Sequence, residues 1–260
     1  MKTNKEIVNK RRNDIMHIIQ NQGYANVENL AHHFNVSCLT IRRDLQFWEE
    51  KGAIEKYYGG AKLVQNFVEN DYATSNEPYK HAIAKFAAQF VEDGDTIFIN
   101  TSSTALLVIK YIRHKKVTII TNNAKAIFMD HDPAVTIVLT GGELRIPKES
   151  MVGDFALNNL QKVNANKSFL GCSGICCENG MSTAILQEVS INETMVQRTK
   201  GKVFILADAT KIGITHKFNA TSINNITHLI TDKRVDDTMI DEFKQKGIQT
   251  YRLDPIYPQT

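Results

Sequence analysis

No stretch of this 260-residue sequence reaches the roughly eighteen consecutive apolar residues of a membrane-spanning helix, so no membrane partner is expected. The opening residues (MKTNKEIVNKRR) are charged and lack the apolar core of a secretion signal, so export by that route is not expected either. Cysteine is scarce. The four present, Cys38, Cys172, Cys176 and Cys177, fit a reducing cytoplasm. The last three cluster, but without zinc-site spacing or a histidine close in sequence, and read as small packing residues around a loop. No metal and no other cofactor is expected. Internal repeats and low-complexity tracts are absent. The formal net charge of +3 is small, but it is unevenly placed. Residues 1–64 carry ten Lys/Arg and seven Asp/Glu, and the remaining residues carry 21 of each. The whole excess lies in the N-terminal quarter, as an electrostatic footprint for nucleic acid requires.

Within that quarter, two short segments with helical apolar spacing meet at Asn35-Val36-Ser37. The first carries Val27, Leu30, Ala31 and Phe34, and the second Ile41, Leu45 and Trp48. Ser37 stands where an N-cap belongs. Helix, tight turn and helix form the pattern in which the second helix enters the DNA major groove. With the apolar side turned inward, Ser37, Cys38, Leu39, Thr40, Arg42 and Arg43 lie at the outward N-terminal end. Arginine there can bond a guanine edge in bidentate fashion. Gly52 suits the end of the helix. Ala53–Tyr57 and Ala61–Val64, separated by Tyr58-Gly59-Gly60, read as a β-hairpin wing bearing Lys62. A helix over Lys5–Gln22 precedes this motif, ending at Gly23, and Tyr24-Ala25 reads as a short strand against the wing. Its Lys10-Arg11-Arg12 cluster fits a solvated basic face as well as phosphate contact.

The run NVSCLTIRRDLQFWEEKGAIEKYYGGA resembles the signature of the DeoR family of bacterial transcriptional regulators, through Thr40–Leu45 and the Gly59-Gly60 hairpin. Cys38 and Leu39 stand where that family usually carries acidic or polar residues. The resemblance implies a winged helix-turn-helix bound to double-stranded operator DNA.

Gln65–Pro78 is polar and aperiodic and is closed by a proline, so it reads as a linker between residues 1–64 and 79–260. From Tyr79 the pattern alternates. A helix over His81–Val91 leads to short Val/Ile-rich runs at 96–99, 117–120, 135–139, 168–170, 203–206, 228–230 and 249–251. Helical stretches at 104–112, 124–131, 154–160, 186–199 and 236–246 separate most of them. Such alternation indicates an α/β domain with a mainly parallel, Rossmann-like sheet covered on both faces.

In such sheets ligands bind beyond the carboxyl ends of the strands. The loops there are small and polar: Asn100-Thr101-Ser102-Ser103-Thr104, Thr121-Asn122-Asn123, Thr140-Gly141-Gly142, Gly171–Gly174 and Ala207–Lys211. Hydroxyls and N–H groups at the start of the Thr104 helix suit a phosphate, and Lys211 adds positive charge. Asn122 could bond sugar hydroxyls, and Gly141 and Gly142 would let the backbone approach them. This half also resembles the family's effector domain, which is similar to ribose-5-phosphate isomerase. The resemblance rests on Asp93–Ile97, Thr121-Asn122, Gly141-Gly142 and Ala207–Gly213, and it implies a sensor of phosphorylated sugars. The family usually has an Asp-x-Gly-[ST]-Thr sequence where Asn100–Thr104 stands, and Ser173 replaces a common aspartate. The expected protein is a cytoplasmic repressor without catalytic residues, assembled as a dimer or tetramer through residues 80–260. A sugar-phosphate isomerase with a winged-helix appendage is the competing class. It would enolise through a carboxylate base and a cation, for which Asp208 and Lys211 are the candidates. A winged helix used only for protein contacts is a third reading, which Arg42-Arg43 argues against.

Overall fold

The computed structural model describes residues 2–50, 53–63, 76–146 and 148–257. The chain divides into two compact units, Met1–Ala73 and Thr74–Thr260. No helix among the described residues is long and apolar enough to cross a membrane.

The first unit runs α1 (Lys2–Gln22), β1 (Tyr24–Asn26), α2 (Val27–His33), α3 (Cys38–Glu50), β2 (Ile54–Tyr57) and β3 (Gly60–Leu63). Asn26 caps α2, its side chain accepting from the N–H groups of Glu28 and Asn29. β3 lies between β1 and β2, with Ala25 opposite Ala61, so the strand expected at Tyr24-Ala25 does pair with the wing. Ile15, Ile19, Leu30, Ile41, Leu45, Trp48 and Ile54 form the core. Gly52, read as the end of α3, and Gln65–Ser75 of the expected linker lie outside the described residues.

The second unit opens with α4 (Glu77–Ala87). Pro78, read as closing a linker, sits instead in the first turn of this helix, where its missing N–H has no partner to lose. There follow β4 (Thr96–Ile99), α5 (Ser103–Leu106), α6 (Val108–Tyr111), β5 (Val117–Thr121), β6 (Val135–Leu139), β7 (Glu143–Arg145), β8 (Ser150–Val152) and α7 (Asp154–Gln161). The chain continues through β9 (Ala165–Gly171), β10 (Gly174–Cys176), β11 (Gly180–Thr183), α8 (Leu186–Gln197), β12 (Thr199–Leu206), β13 (Phe218–Thr221), β14 (His228–Asp232), α9 (Asp237–Gln245) and β15 (Gln249–Leu253). All seven Val/Ile-rich runs become strands of one parallel sheet, in the order β15-β14-β12-β9-β4-β5-β6. Alternate residues serve opposite faces. Ile97, Ile99, Phe169, Phe204 and Leu206 pack with α4, while Phe98, Leu170, Ile205 and Leu229 pack with residues of α7, α8 and α9. Two features were not anticipated: the β7–β8 hairpin and a small sheet of β10, β11 and β13.

Candidate functional site

The outward face of α3 is built as its sequence suggests. The Ser37 hydroxyl lies 2.9 Å from that of Thr40 and accepts from the Thr40 N–H, which fixes the first turn. Ile41, Leu45 and Trp48 are buried, while Leu39, Arg42 and Arg43 are exposed and Cys38 and Thr40 half-buried. Arg11 and Arg12 have a different task from either expected one. Arg11 Nε donates to Asp44 Oδ2 at 2.6 Å and Arg12 Nε to Oδ1 at 3.0 Å, and Asp44 is only 2% exposed. The Arg12 guanidinium also lies over the Phe47 ring, and its carbonyl accepts from Trp48 Nε1. These two arginines brace α1 against α3. On the wing, Lys62 is exposed but already paired with Glu55 at 2.8 Å, and Tyr58 stands fully exposed at the turn.

The second unit has its topological switch at β4. From there the chain winds outward through β5 to the edge at β6, then returns to place β9 on the other side of β4. The crevice beyond the carboxyl ends of β4 and β9 is therefore where such a sheet takes a ligand. Asn100 spans it. Its Oδ1 accepts from the N–H groups of Gly171 and Ser102, and its Nδ2 donates to the Gly171 carbonyl and to Asn192 Oδ1. That saturates the amide, so Asn100 is a latch between β4, β9 and α8 rather than a free ligand group. Gly171 must be glycine, because a Cβ there would collide with the Ser102 side chain.

Glu188, in the first turn of α8, is a buried carboxylate that sequence reasoning missed. It accepts from Thr101 Oγ1 at 3.1 Å and from Thr183 Oγ1 at 2.9 Å. The Thr101 proton is thus committed to Glu188. Ser102 Oγ accepts from the Ala105 N–H, which leaves its own proton to donate, and the Ser103 side chain is exposed. Thr104 is buried. The expected helix over Thr104–Ile112 is two four-residue pieces, α5 and α6. The loop therefore offers an anion its hydroxyls and the first-turn N–H groups of Ser103 and Thr104, not a long helix dipole.

Lys211 closes a short 3-10 turn, Ala209–Lys211, whose start is held by two carboxylates. Asp208 accepts from the Thr210 N–H and Asp232 from the Ala209 N–H. Burial pushes the Cys172 thiol up to about 12, with nearby Lys211 pulling it down and Asp208 up; Lys211 itself follows β12, the strand beside β9. Asn122, beside β4 at the end of β5, donates to the Met151 carbonyl at 3.0 Å, while its buried Oδ1 meets no donor among the described residues. Gly141 and Gly142 lie elsewhere. They follow β6, two strands from β4 and so about 10 Å away at ordinary strand spacing. Gly142 (φ +108°) is required for packing, because a Cβ would strike the Val152 carbonyl.

Residues 11–67 match the DeoR-like helix-turn-helix domain, and residues 75–233 match the DeoR C terminal sensor domain. The chain belongs to the DeoR family of transcriptional regulators. It is 32% identical to the HTH-type transcriptional regulator GolR of Listeria innocua, over 92% of this chain and 96% of that protein. It is 30% identical to the glycerol-3-phosphate regulon repressor of Escherichia coli over 86% of this chain and 90% of that one. With the lactose phosphotransferase system repressor of Staphylococcus aureus it shares 29% identity over 93% and 96%. Ribose 5-phosphate isomerase A from Methanocaldococcus jannaschii is a remote structural neighbour, 18% identical over 53% of this chain and 55% of that one, with a TM-score of 0.38. A likeness that slight has no bearing on activity. In this DeoR-family chain, Glu188 and Asn192 stand i, i+4 on a helix whose neighbouring Ile191 and Met195 are buried. That pairing was the available signal that α8 turns polar groups inward.

Proposed function

We propose that this DeoR-family regulator is a repressor of a sugar or polyol utilisation operon. It holds operator DNA through α3 and the wing and lets go when a phosphorylated sugar-like metabolite enters the β4–β9 crevice. The observation that supports the reading is the placement around the switch point: the Ser102–Thr104 turn, Asn122 and Lys211 follow β4, β5 and β12, strands on or near the switch, and Glu188 of α8 bonds Thr101 of the same loop. Lys211 supplies countercharge to a dianionic phosphate, with hydrogen bonds from Ser102, Ser103 and the loop N–H groups. Glu188 and Asn122 Oδ1 accept from sugar hydroxyls. The relatives' names, among them a glycerol-3-phosphate regulon repressor, agree with a phosphorylated effector. On the DNA, Arg42 and Arg43 read bases and Ser37, Cys38, Leu39 and Thr40 line the groove. Lys62 can leave Glu55 for a phosphate at little cost, since the pair is exposed and screened by water.

Binding without turnover is proposed, because the relatives spanning most of this chain are named as regulators. Transmission to the DNA-binding unit runs through Asp232. The same carboxylate that holds the Ala209 N–H accepts from Arg234 Nε at 2.7 Å and Nη2 at 2.9 Å. Arg234 in turn donates to Asn76 Oδ1 at 3.0 Å and lies over the Tyr79 ring, where the chain enters the sensor unit.

Calorimetry with triose, pentose, hexose and polyol phosphates, on wild type and Lys211→Ala, tests the site. One phosphorylated compound should bind wild type, and the variant should bind it at least tenfold more weakly. Equal affinity in the two proteins removes the site from this crevice.

A further inference from the structure

The two edges of the seven-stranded sheet are treated differently. A free strand edge invites pairing with another chain, and soluble proteins guard it with charge, proline or a cover. The β15 edge is guarded, with Arg252 paired to Asp237 and Lys233 to Asp254, each at 2.6 Å. The β6 edge, Val135-Thr136-Ile137-Val138-Leu139, carries no charged residue, and Val138 and Leu139 are exposed.

Apolar side chains gather around this bare edge. Phe128 is 82% exposed, Phe155 78% and Ile146 76%, with Ile127 and Leu144 also exposed. The segments that bear them are joined to one another. Lys125 pairs with Glu149 at 3.5 Å and the Ala124 N–H donates to the Glu149 carbonyl, which ties the turn bearing Ile127 and Phe128 to the β7–β8 hairpin. Asn159 Nδ2 donates to the Thr140 carbonyl at 3.0 Å, which ties α7, bearing Phe155 in its first turn, to the end of β6. Together these seven side chains expose on the order of 900 Å², beyond the few hundred that a monomer usually shows in one patch. About 800 Å² per partner is what a standard stable interface buries.

We propose that this face is where two copies of the chain pair, β6 lying antiparallel to the β6 of its partner across a two-fold axis. A second copy fits better than a foreign protein on two grounds. An edge strand pairing with itself is self-complementary, as a two-fold interface requires. The area matches one partner's share of a dimer. The surface is also joined to the proposed effector crevice, since the Met151 N–H of the hairpin donates to the Asn122 carbonyl at 2.7 Å. Occupation of the crevice can therefore be felt at the interface. That last link alone rests on the effector reading; the pairing does not.

Sedimentation velocity of the full chain tests the pairing, using wild type, the double variant Phe128→Asp/Phe155→Asp, and Val138→Lys, which installs the missing edge guard. Both aromatic side chains are exposed, so the double variant should keep its thermal midpoint, and Val138→Lys stands in should it not fold. Wild type should sediment as a dimer or a multiple of one, and each variant at half that mass. Affinity for DNA with two half-sites should fall at least tenfold, while binding to one half-site stays unchanged. A wild-type monomer at concentrations that saturate two-site DNA, or variants of wild-type mass, would overturn the proposal. Loss of sugar-phosphate binding in wild type would instead count against the effector site.

Discussion

Asp44→Ala separates the arginines that hold the first unit together from those that meet DNA. The Asp44 carboxylate is 2% exposed and anchors Arg11 at 2.6 Å and Arg12 at 3.0 Å, whose side chains are 16% and 24% exposed. Removing one partner of a buried pair costs about 3–5 kcal/mol, because the remaining charge is left uncompensated. Water reaches part of each arginine, so a loss of about 2–3 kcal/mol is expected here. Trp48 reports it directly. It is the sole tryptophan of the chain, lies buried in this unit, and donates to the Arg12 carbonyl at 2.9 Å. With an m-value of about 1 kcal/mol/M for a unit this small, the urea midpoint read by Trp48 fluorescence should fall by roughly 2 M. Arg43→Ala should leave that midpoint unchanged within about 0.5 kcal/mol, since the side chain is exposed. The same substitution should weaken operator binding by about 1–3 kcal/mol and relax base preference at one position. An Asp44→Ala midpoint within 0.5 M of wild type would refute the reasoning. So would an Arg11→Ala variant of full stability that loses operator affinity as Arg43→Ala does.

Three further outcomes are expected. Glu188→Gln keeps the shape of the side chain but replaces one acceptor with a donor facing a threonine hydroxyl, so calorimetry should show effector affinity lowered at least tenfold with operator affinity unchanged; an unaltered isotherm would exclude Glu188 from the site. Burial pushes the imidazoles of His81 and His228 below their usual range, nearby lysines adding to the effect. Their contribution to stability is therefore full above about pH 6.5 and is lost as pH falls through the lowered values. Scanning calorimetry should accordingly show the second unit melting earlier at pH 5 than at pH 7, more so than in His228→Gln, and parallel profiles would contradict this. Arg234→Gln should bind effector as wild type does but release DNA poorly in anisotropy titrations, whereas normal release would break the proposed Asp232–Arg234–Asn76 path.

Much of the fold was legible because local pattern and tertiary role coincide. The runs at 96–99, 117–120 and 203–206 are near-continuous Val, Ile and Phe because both faces of a parallel strand are covered. Ile41, Leu45 and Trp48 mark the inward side of α3 for the same reason. What stayed hidden depends on partners remote in sequence. Asn100 looks like a polar loop residue until Gly171 and Asn192 saturate it from 71 and 92 residues away. Arg11 and Arg12 look like a basic patch until Asp44 meets them from more than thirty residues away. The three-residue strands β7, β8 and β10 are too short for a period to register, and their glycines and serines read as turn chemistry. The bare β6 edge was visible only as another apolar strand, because edge and centre differ in neighbours rather than in composition.

The most direct test of the proposed effector control is anisotropy of labelled DNA from the region upstream of the gene itself, titrated with the full chain and then with individual sugar phosphates. Wild type is expected to bind in a salt-dependent manner and to be released by one phosphorylated compound at concentrations that leave Lys211→Ala bound. Binding that no phosphorylated compound reverses, or release of wild type and Lys211→Ala at the same concentration, would contradict a sensor whose phosphate sits against Lys211.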